Sequence, residues 1–352
     1  MVQRPRPEKV TLADVAARAG VSPATVSKVL NGRSDVSPST RAYVLNVIEQ
    51  VGYRGTTPRH ERRRNRALVT VLDFVASRYA GTVLQSILDT ATEADAELLL
   101  RLPPGEKIAN SRTSARTWVA QQQAAGAIGV IGLAVTVPDP IIDAARDLAL
   151  PVVAIDPIDT TDSRVVSIGA TNWAGGRSAT DHLIELGHKR IAWIGGPLSS
   201  APSAERFHGL RAALDAAGLP ADPDLVRHGA FEVESGRLHA RELLSLAAPP
   251  TAIVAGNDEI AIGVLAAAAE LDVGVPAALS VTGFDDTPQT EWMTPRLTSV
   301  RQPLAGMGRI AVETVLAMAE GTAPVSRHLQ LATALSIRDS TGPVLITKGA
   351  IR

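Results

Sequence analysis

The run Ser22-Pro23-Ala24-Thr25-Val26-Ser27-Lys28 gathers small residues, hydroxyls and one cation into a short segment. Small side chains at a helix N-terminus let it approach base edges closely, and a lysine there can donate to guanine O6 and N7. A second constellation is made of carboxylates. Asp285-Asp286 and Asp258-Glu259 each follow an apolar run, and paired carboxylates serve acid–base and glycosidic chemistry. Sequence neighbours at a strand end rarely face one another, however. The chain also shows no nucleophile elbow, phosphate loop or metal-type histidine spacing. No catalytic residue, metal or cofactor is therefore expected, and an enzyme is the weaker reading.

The elements that must position the first group are legible. Thr11-Leu12-Ala13-Asp14 is a capping box. Leu12, Val15, Ala16 and Ala19 form one apolar stripe at helical spacing, and Gly20 can close the helix in a left-handed conformation. Ser22-Pro23 and Ser37-Pro38 each supply an N-cap and a proline at the first helical position. Val26, Val29 and Leu30 give the second helix an inner face, and Val44, Val47, Ile48 and Val51 do so for a third. Two helices joined by about three residues around a glycine read as a helix-turn-helix.

Charge agrees. Residues 1–66 hold thirteen Lys/Arg against five Asp/Glu, a net of +8; the rest hold twenty-two against thirty-one, a net of −9. A basic head suits a polyanion and an acidic body does not. Arg59, Arg62, Arg63, Arg64 and Arg66 crowd the stretch that follows the head, where arginine suits a narrow minor groove or flanking phosphates. There is no cysteine. The N-terminus lacks an apolar leader and no apolar run would span a bilayer, so a cytoplasmic protein without a membrane partner is expected.

From Ala67 short apolar runs alternate with helical stretches. Strands are expected at 68–75, 96–102, 127–135, 150–155, 165–169, 190–195, 225–231, 251–256 and 279–284. Such alternation implies parallel sheets covered on both faces, and so many strands fit two sheets better than one. Ligands in these folds bind outside the carboxyl ends of strands. With only eleven aromatics, each needs a reason, and Phe74, Tyr79, Trp173, Phe231 and Trp292 all fall near expected strand ends. Aromatic faces with carboxylates and amides describe a carbohydrate site; a purine is the competing ligand.

The first fifty residues resemble the DNA-binding head of the lac repressor family, whose pattern T-L-x-D-V-A-x-x-A-G-V-S-x-x-T-V-S-x-V-L-N is matched almost throughout. LGHKRIAWIGGP (186–197), AGNDEIAIGVL (255–265) and SVTGFDDTPQTEWMTPRLTSVRQP (280–303) resemble the family's periplasmic-binding-protein-like body. The resemblance implies an α + α/β fold: a three-helix head over 1–52, a linker over 53–66 and an effector-binding body over 67–352. It implies lobes at about 67–168 with 299–328, and 169–297 with 329–345. The chain would cross between them near 168, 298 and 329. It gives base reading to Pro23, Ala24 and Lys28, and phosphate contact or positioning to Ser22, Thr25, Ser27, Asn31, Ser37 and Thr40. Tyr53 and, on their charge, Arg59 and Arg62 are expected to add DNA contacts. It gives effector contact to Asp156, Arg206, Asn257, Asp285 and Gln302.

The linker departs from that pattern. Gly55-Thr56 stand where the family has Pro-Asn, and Arg62 stands where a leucine would wedge into the minor groove. Electrostatics is the expected contribution there. The resemblance further implies a homodimer on a palindromic operator, with helices near 81–95 and 303–319 as its faces. ATNWAGG (170–176) and Tyr79 look most like members tied to xylose and xylan-derived saccharides, so a pentose or xylo-oligosaccharide is the expected effector.

Overall fold

The computed structural model describes residues 10–30, 36–51, 53, 66–73, 77–159 and 164–344. Asn31, Arg59, Arg62 and Phe74, which the sequence nominates, lie outside the described residues. The chain divides into two compact units, Met1–Arg66 and Ala67–Arg352.

The head is built from α1 (Leu12–Ala19), α2 (Pro23–Leu30) and α3 (Pro38–Val51). Thr11 N–H donates to Asp14 Oδ2 at 2.7 Å and Asp14 N–H donates back to Thr11 Oγ1, so two orphan amides are satisfied reciprocally. Gly20 takes φ 65°, and Val21 N–H reaches Ala16 O across it. This left-handed stop lets α2 start after only two intervening residues. Ser22 Oγ accepts from Thr25 N–H, and Ser37 Oγ from Thr40 N–H, capping α2 and α3. Val15, Ala19, Val26, Val29, Val44 and Val47 are buried together. Half-buried Tyr53 packs on the same cluster. Ser22, Pro23, Ala24 and Lys28 are exposed, and Thr25 and Ser27 are partly so.

The body has two six-stranded sheets. The first runs β11-β5-β4-β3-β1-β2 and is parallel throughout. It comprises β1 (Ala67–Val71), β2 (Glu97–Arg101), β3 (Ala127–Leu133), β4 (Val152–Ile155), β5 (Val166–Ala170) and β11 (His328–Leu331). The second runs β12-β10-β9-β8-β6-β7, with only β12 antiparallel. It comprises β6 (Ile191–Gly195), β7 (Val226–His228), β8 (Ala252–Ala255), β9 (Ser280–Asp285), β10 (Thr298–Arg301) and β12 (Ala334–Ser336).

Helices cover both faces of each sheet, as parallel strands require. On the first sheet, α4 (Arg78–Glu93) and α12 (Leu304–Ala319) seal one core, while α6 (Arg112–Ala124) and α7 (Asp139–Asp147) seal the other. The four-residue α5 (Glu106–Ala109) precedes α6. On the second sheet, α8 (Asn172–Glu185) and α9 (Ala201–Ala216) lie on one side, and α10 (Val233–Leu244) and α11 (Asp258–Glu270) on the other. The α8–α9 crossing depends on glycine. A Cβ on Gly176 would lie 2.1 Å from Arg206 O, and one on Gly209 2.1 Å from Trp173 O.

Each of the nine strands expected from apolar runs is present: β5 and β9 keep their length but shift by one residue, and the other seven are shorter than expected. The periodicity gave no sign of β10, β11 and β12. These three to four residue strands, two of them sheet edges, carry Thr, Ser, His, Gln and Arg among their apolar residues. They also set where the chain changes sheet. The passages fall after Ala170, after Arg301 and after Leu331, two to three residues later than expected, because β5, β10 and β11 finish pairing first.

Candidate functional site

Between the two sheets lies a cavity of about 300 Å³, near the lower end of small-molecule sites. Tyr79 from α4 and Asp156 just past β4 face it from the first lobe. Arg206 on α9, Phe231 before α10, Asn257 at the α11 cap and Asp285 at the end of β9 face it from the second. These are strand ends and the helix starts beside them, the geometry expected of such sheets.

The side chains are held before any ligand arrives. Tyr79 Oη donates to Asp156 Oδ2 at 2.7 Å. Arg206, 4% exposed, donates from Nε to Asn172 Oδ1 (2.8 Å) and from Nη1 to Gly256 O (2.7 Å). Its guanidinium stacks 3.8 Å above the Phe284 ring centroid and lies 3.7 Å from Asp285 Oδ1. Gln302 Nε2 donates to the same Asp285 oxygen at 2.7 Å. Asn257 Oδ1 accepts from Ile260 N–H, so this amide caps α11 as well as facing the cavity. Gly196 leaves room for Phe231, whose ring would be 2.2 Å from a Cβ there.

Backbone strain collects at the same strand ends. Asp156 has φ 43°, Ala134 φ 51° and Asp285 φ 110°. Left-handed conformations in non-glycine residues cost about 1–3 kcal/mol each and persist where the surroundings over-determine them, as at ligand clamps. Burial works against ionisation of three of these groups. Burial pushes the Asp285 carboxyl well above the usual carboxylate range, against the opposing pull of Arg206 and Gln302. Burial likewise raises Asp156, with Arg206 and the Tyr79 phenol pulling it down. Burial and the adjacent Asp156 carboxylate hold the Tyr79 phenol well above its ordinary pKa, so it is a neutral donor.

Three nominated positions are placed differently. Trp173 is 44% exposed beneath the Arg177 guanidinium and does not line the cavity, because Asn172, one residue earlier, takes the inward position as α8 begins. Trp292 is 74% exposed. The chain turns away after Thr287, whose amide and hydroxyl are both held by Asp258 Oδ2. Gln302 stands behind Asp285, not on the cavity wall. The wall also includes Asp73, Ser77, Ser199, Ser200 and Glu232, which sequence reasoning missed. They sit in loops, where periodicity carries no signal. The paired carboxylates are held structurally: Asp286 is bound by Arg338 and Ser336, Asp258 by Ser299 and Thr287, and Ser299 Oγ also accepts from Asp286 N–H.

A family model described as bacterial regulatory proteins, lacI family, matches residues 11–55, and one for a periplasmic binding protein-like domain matches residues 180–341. The HTH-type transcriptional regulator CelR of Thermobifida fusca is 32% identical over 355 residues, covering 97% of this chain and 100% of the relative. The chain belongs to the lacI family. The regulator MalR of Streptomyces coelicolor is also 32% identical, over 94% of this chain and 96% of its own. Among solved structures, a complex of the regulator CelR with cellobiose shares 31% identity at a TM-score of 0.70, covering 94% of this chain and 99% of that one. The lac repressor dimer bound to operator and the anti-inducer ONPF shares 27% identity at a TM-score of 0.78, covering 95% and 100%.

As a lacI-family member the protein is a DNA-binding transcriptional regulator, and its named relatives are regulators, not enzymes. The helix-turn-helix and the body of two parallel α/β sheets are the fold of that family. Among the described residues, no helix is long and apolar enough to cross a membrane.

Proposed function

We propose that this lacI-family protein is a repressor whose operator affinity is set by a small, uncharged saccharide in the body cavity. The observation that carries the reading is the chemistry of the wall. Among the described residues, Asp73, Asp156, Glu232 and Asp285 face it against a single cation, Arg206, which is already engaged by Asn172 and Gly256. Such a wall disfavours phosphate and carboxylate ligands and offers acceptors to hydroxyls. Phe231 and Leu133 supply apolar surface for C–H faces. CelR, solved with cellobiose, supports the saccharide class. The sequence favours a pentose or xylo-oligosaccharide, and xylobiose differs from cellobiose in lacking hydroxymethyl groups. A purine is the second reading, with Phe231 as its stacking surface.

On the DNA side, Pro23, Ala24 and Lys28 read bases, while Ser22, Thr25, Ser27, Ser37 and Thr40 meet phosphates. Asn31, Arg59 and Arg62 extend the contact, and Tyr53 supports the head from its core. A homodimer presents two such heads to a palindromic operator. In the body, the outer face of α4 with Leu88, and edge strand β2 with Leu100, present exposed apolar surface for the partner copy. Saccharide binding couples to DNA through its differential affinity for two lobe arrangements.

A thermal-shift panel of xylose, xylobiose, cellobiose, maltose and hypoxanthine tests this. A binder at a hundredfold excess over its Kd adds about 2.7 kcal/mol, a rise of about 5 °C or more. A rise with hypoxanthine alone would overturn the saccharide reading.

A further inference from the structure

Arg206 does not reach the cavity unaided. Its Nε is fixed by Asn172 Oδ1 at 2.8 Å, and the amide of Asn172 is oriented in turn, because its Nδ2 donates to Glu205 Oε2 at 3.0 Å. The two bonds select the same amide orientation, because a flip would oppose the amide nitrogen to Arg206 Nε–H and the amide oxygen to the Glu205 carboxylate. Asn172 is 3% exposed and is the first residue of α8, directly after the first passage between sheets. Its neighbour Thr171 is tied to the third passage, sharing a 3.0 Å hydroxyl contact with Thr333 and accepting from Thr333 N–H at 3.0 Å. On the far side of the guanidinium, Asp285 is bound by Gln302, which lies in the second passage.

We propose that Glu205 and Asn172 are positioning residues that lock the Arg206 guanidinium to the inter-lobe passages, so that ligand contact at Arg206 is felt where the lobes join. This rests on the reading that a ligand sits against Arg206, but the positioning itself is testable without one. Glu205 and Asn172 border a separate hollow on the other side of Asp156, and Glu205 is half-buried on a helix face, so it can be substituted without opening the effector cavity.

The test uses the full-length protein with arginine-selective 15Nε labelling. The Arg206 Nε–H signal is identified by its loss in Arg206→Lys, and its exchange with solvent is measured in wild type, Glu205→Ala and Glu205→Gln. Glutamine keeps an acceptor for Asn172 Nδ2; alanine does not. Exchange should be about tenfold faster in Glu205→Ala and within about twofold of wild type in Glu205→Gln, the difference of one buried hydrogen bond. Unchanged exchange in Glu205→Ala overturns the proposal, as does equal acceleration in both variants, which a general packing defect would give. In parallel, the Kd for cellobiose and for xylobiose should rise about tenfold in Glu205→Ala, while operator affinity without saccharide stays within about twofold. If neither saccharide binds wild type yet the exchange result holds, the saccharide reading fails and the positioning role stands.

Discussion

Tyr79 and Asp156 are 77 positions apart in the chain and joined by a 2.7 Å hydrogen bond from phenol to carboxylate. One belongs to a helix and the other to a strained strand end, so the bond sets the near wall of the cavity before a ligand enters. Tyr79→Phe keeps the ring and removes the donor. We expect a stability loss of about 1 kcal/mol and a saccharide Kd raised about five- to tenfold, read by urea unfolding and calorimetric titration. Wild-type values in both would show that the bond orders nothing.

Arg206→Ala should abolish the saccharide response while operator binding survives. The stability cost should be about 3–5 kcal/mol, the usual range for removing one partner of a buried pair. Operator release by saccharide in this variant, followed by gel shift, would refute the role.

Gly209→Ala tests the α8–α9 crossing. The added methyl would meet Trp173 O at 2.1 Å and Arg177 N at 2.7 Å, both backbone atoms that cannot swing aside. Overpacking of this kind costs about 1–3 kcal/mol. Because α8 carries Asn172 and α9 carries Arg206, saccharide affinity should fall as well, whereas Gly81→Ala, inside a helix with open space around it, should leave affinity unchanged and stabilise by about 0.4–1 kcal/mol.

Acid sensitivity should trace partly to His188. Its Nδ1 contacts Thr251 Oγ1 at 2.9 Å and its Nε2 contacts Ser280 Oγ at 2.9 Å and Gly342 O at 3.1 Å, under the chain's last described residues. The carbonyl accepts only, so Nε2 carries the proton of a neutral ring. Burial lowers the ring's pKa, with a further push from His182. The unfolded state then binds more protons than the folded one below about pH 6.5, so stability falls with pH from there down to the folded-state pKa. Asp156, Asp258 and Asp285, all raised by burial, contribute with the opposite sign. The readout is therefore the difference between two slopes of unfolding free energy against pH, taken between about pH 7.5 and 5.5: the slope should be less positive in His188→Asn than in the wild type. Parallel slopes would sink the assignment.

Deleting residues 1–66 removes one of the two compact units. Operator binding should disappear and saccharide-induced stabilisation should remain. Losing both would mean that the body is not an independent binding module.

The head was almost fully legible in the sequence because its signals are local. A capping box, a left-handed glycine and two Ser-Pro starts act over three or four residues, and a helical stripe such as Leu12, Val15, Ala16 and Ala19 needs only the 3.6-residue period. The nine expected strands were legible for the same reason, each falling in a short apolar run. What tertiary structure alone decided is long-range. It is pairing with β9 that makes Thr298–Arg301 a strand, and pairing with β5 that recruits His328–Leu331. Neighbours likewise turned Trp173 and Trp292 outward while Asn172 turned in: the helix start at Asn172 and the Asp258 clamp on Thr287 are set by contacts dozens of residues away. Residue type told which side chains could bind a ligand. Which of them meet around one cavity depends on bringing strand ends from two sheets together, and a local pattern carries no record of that.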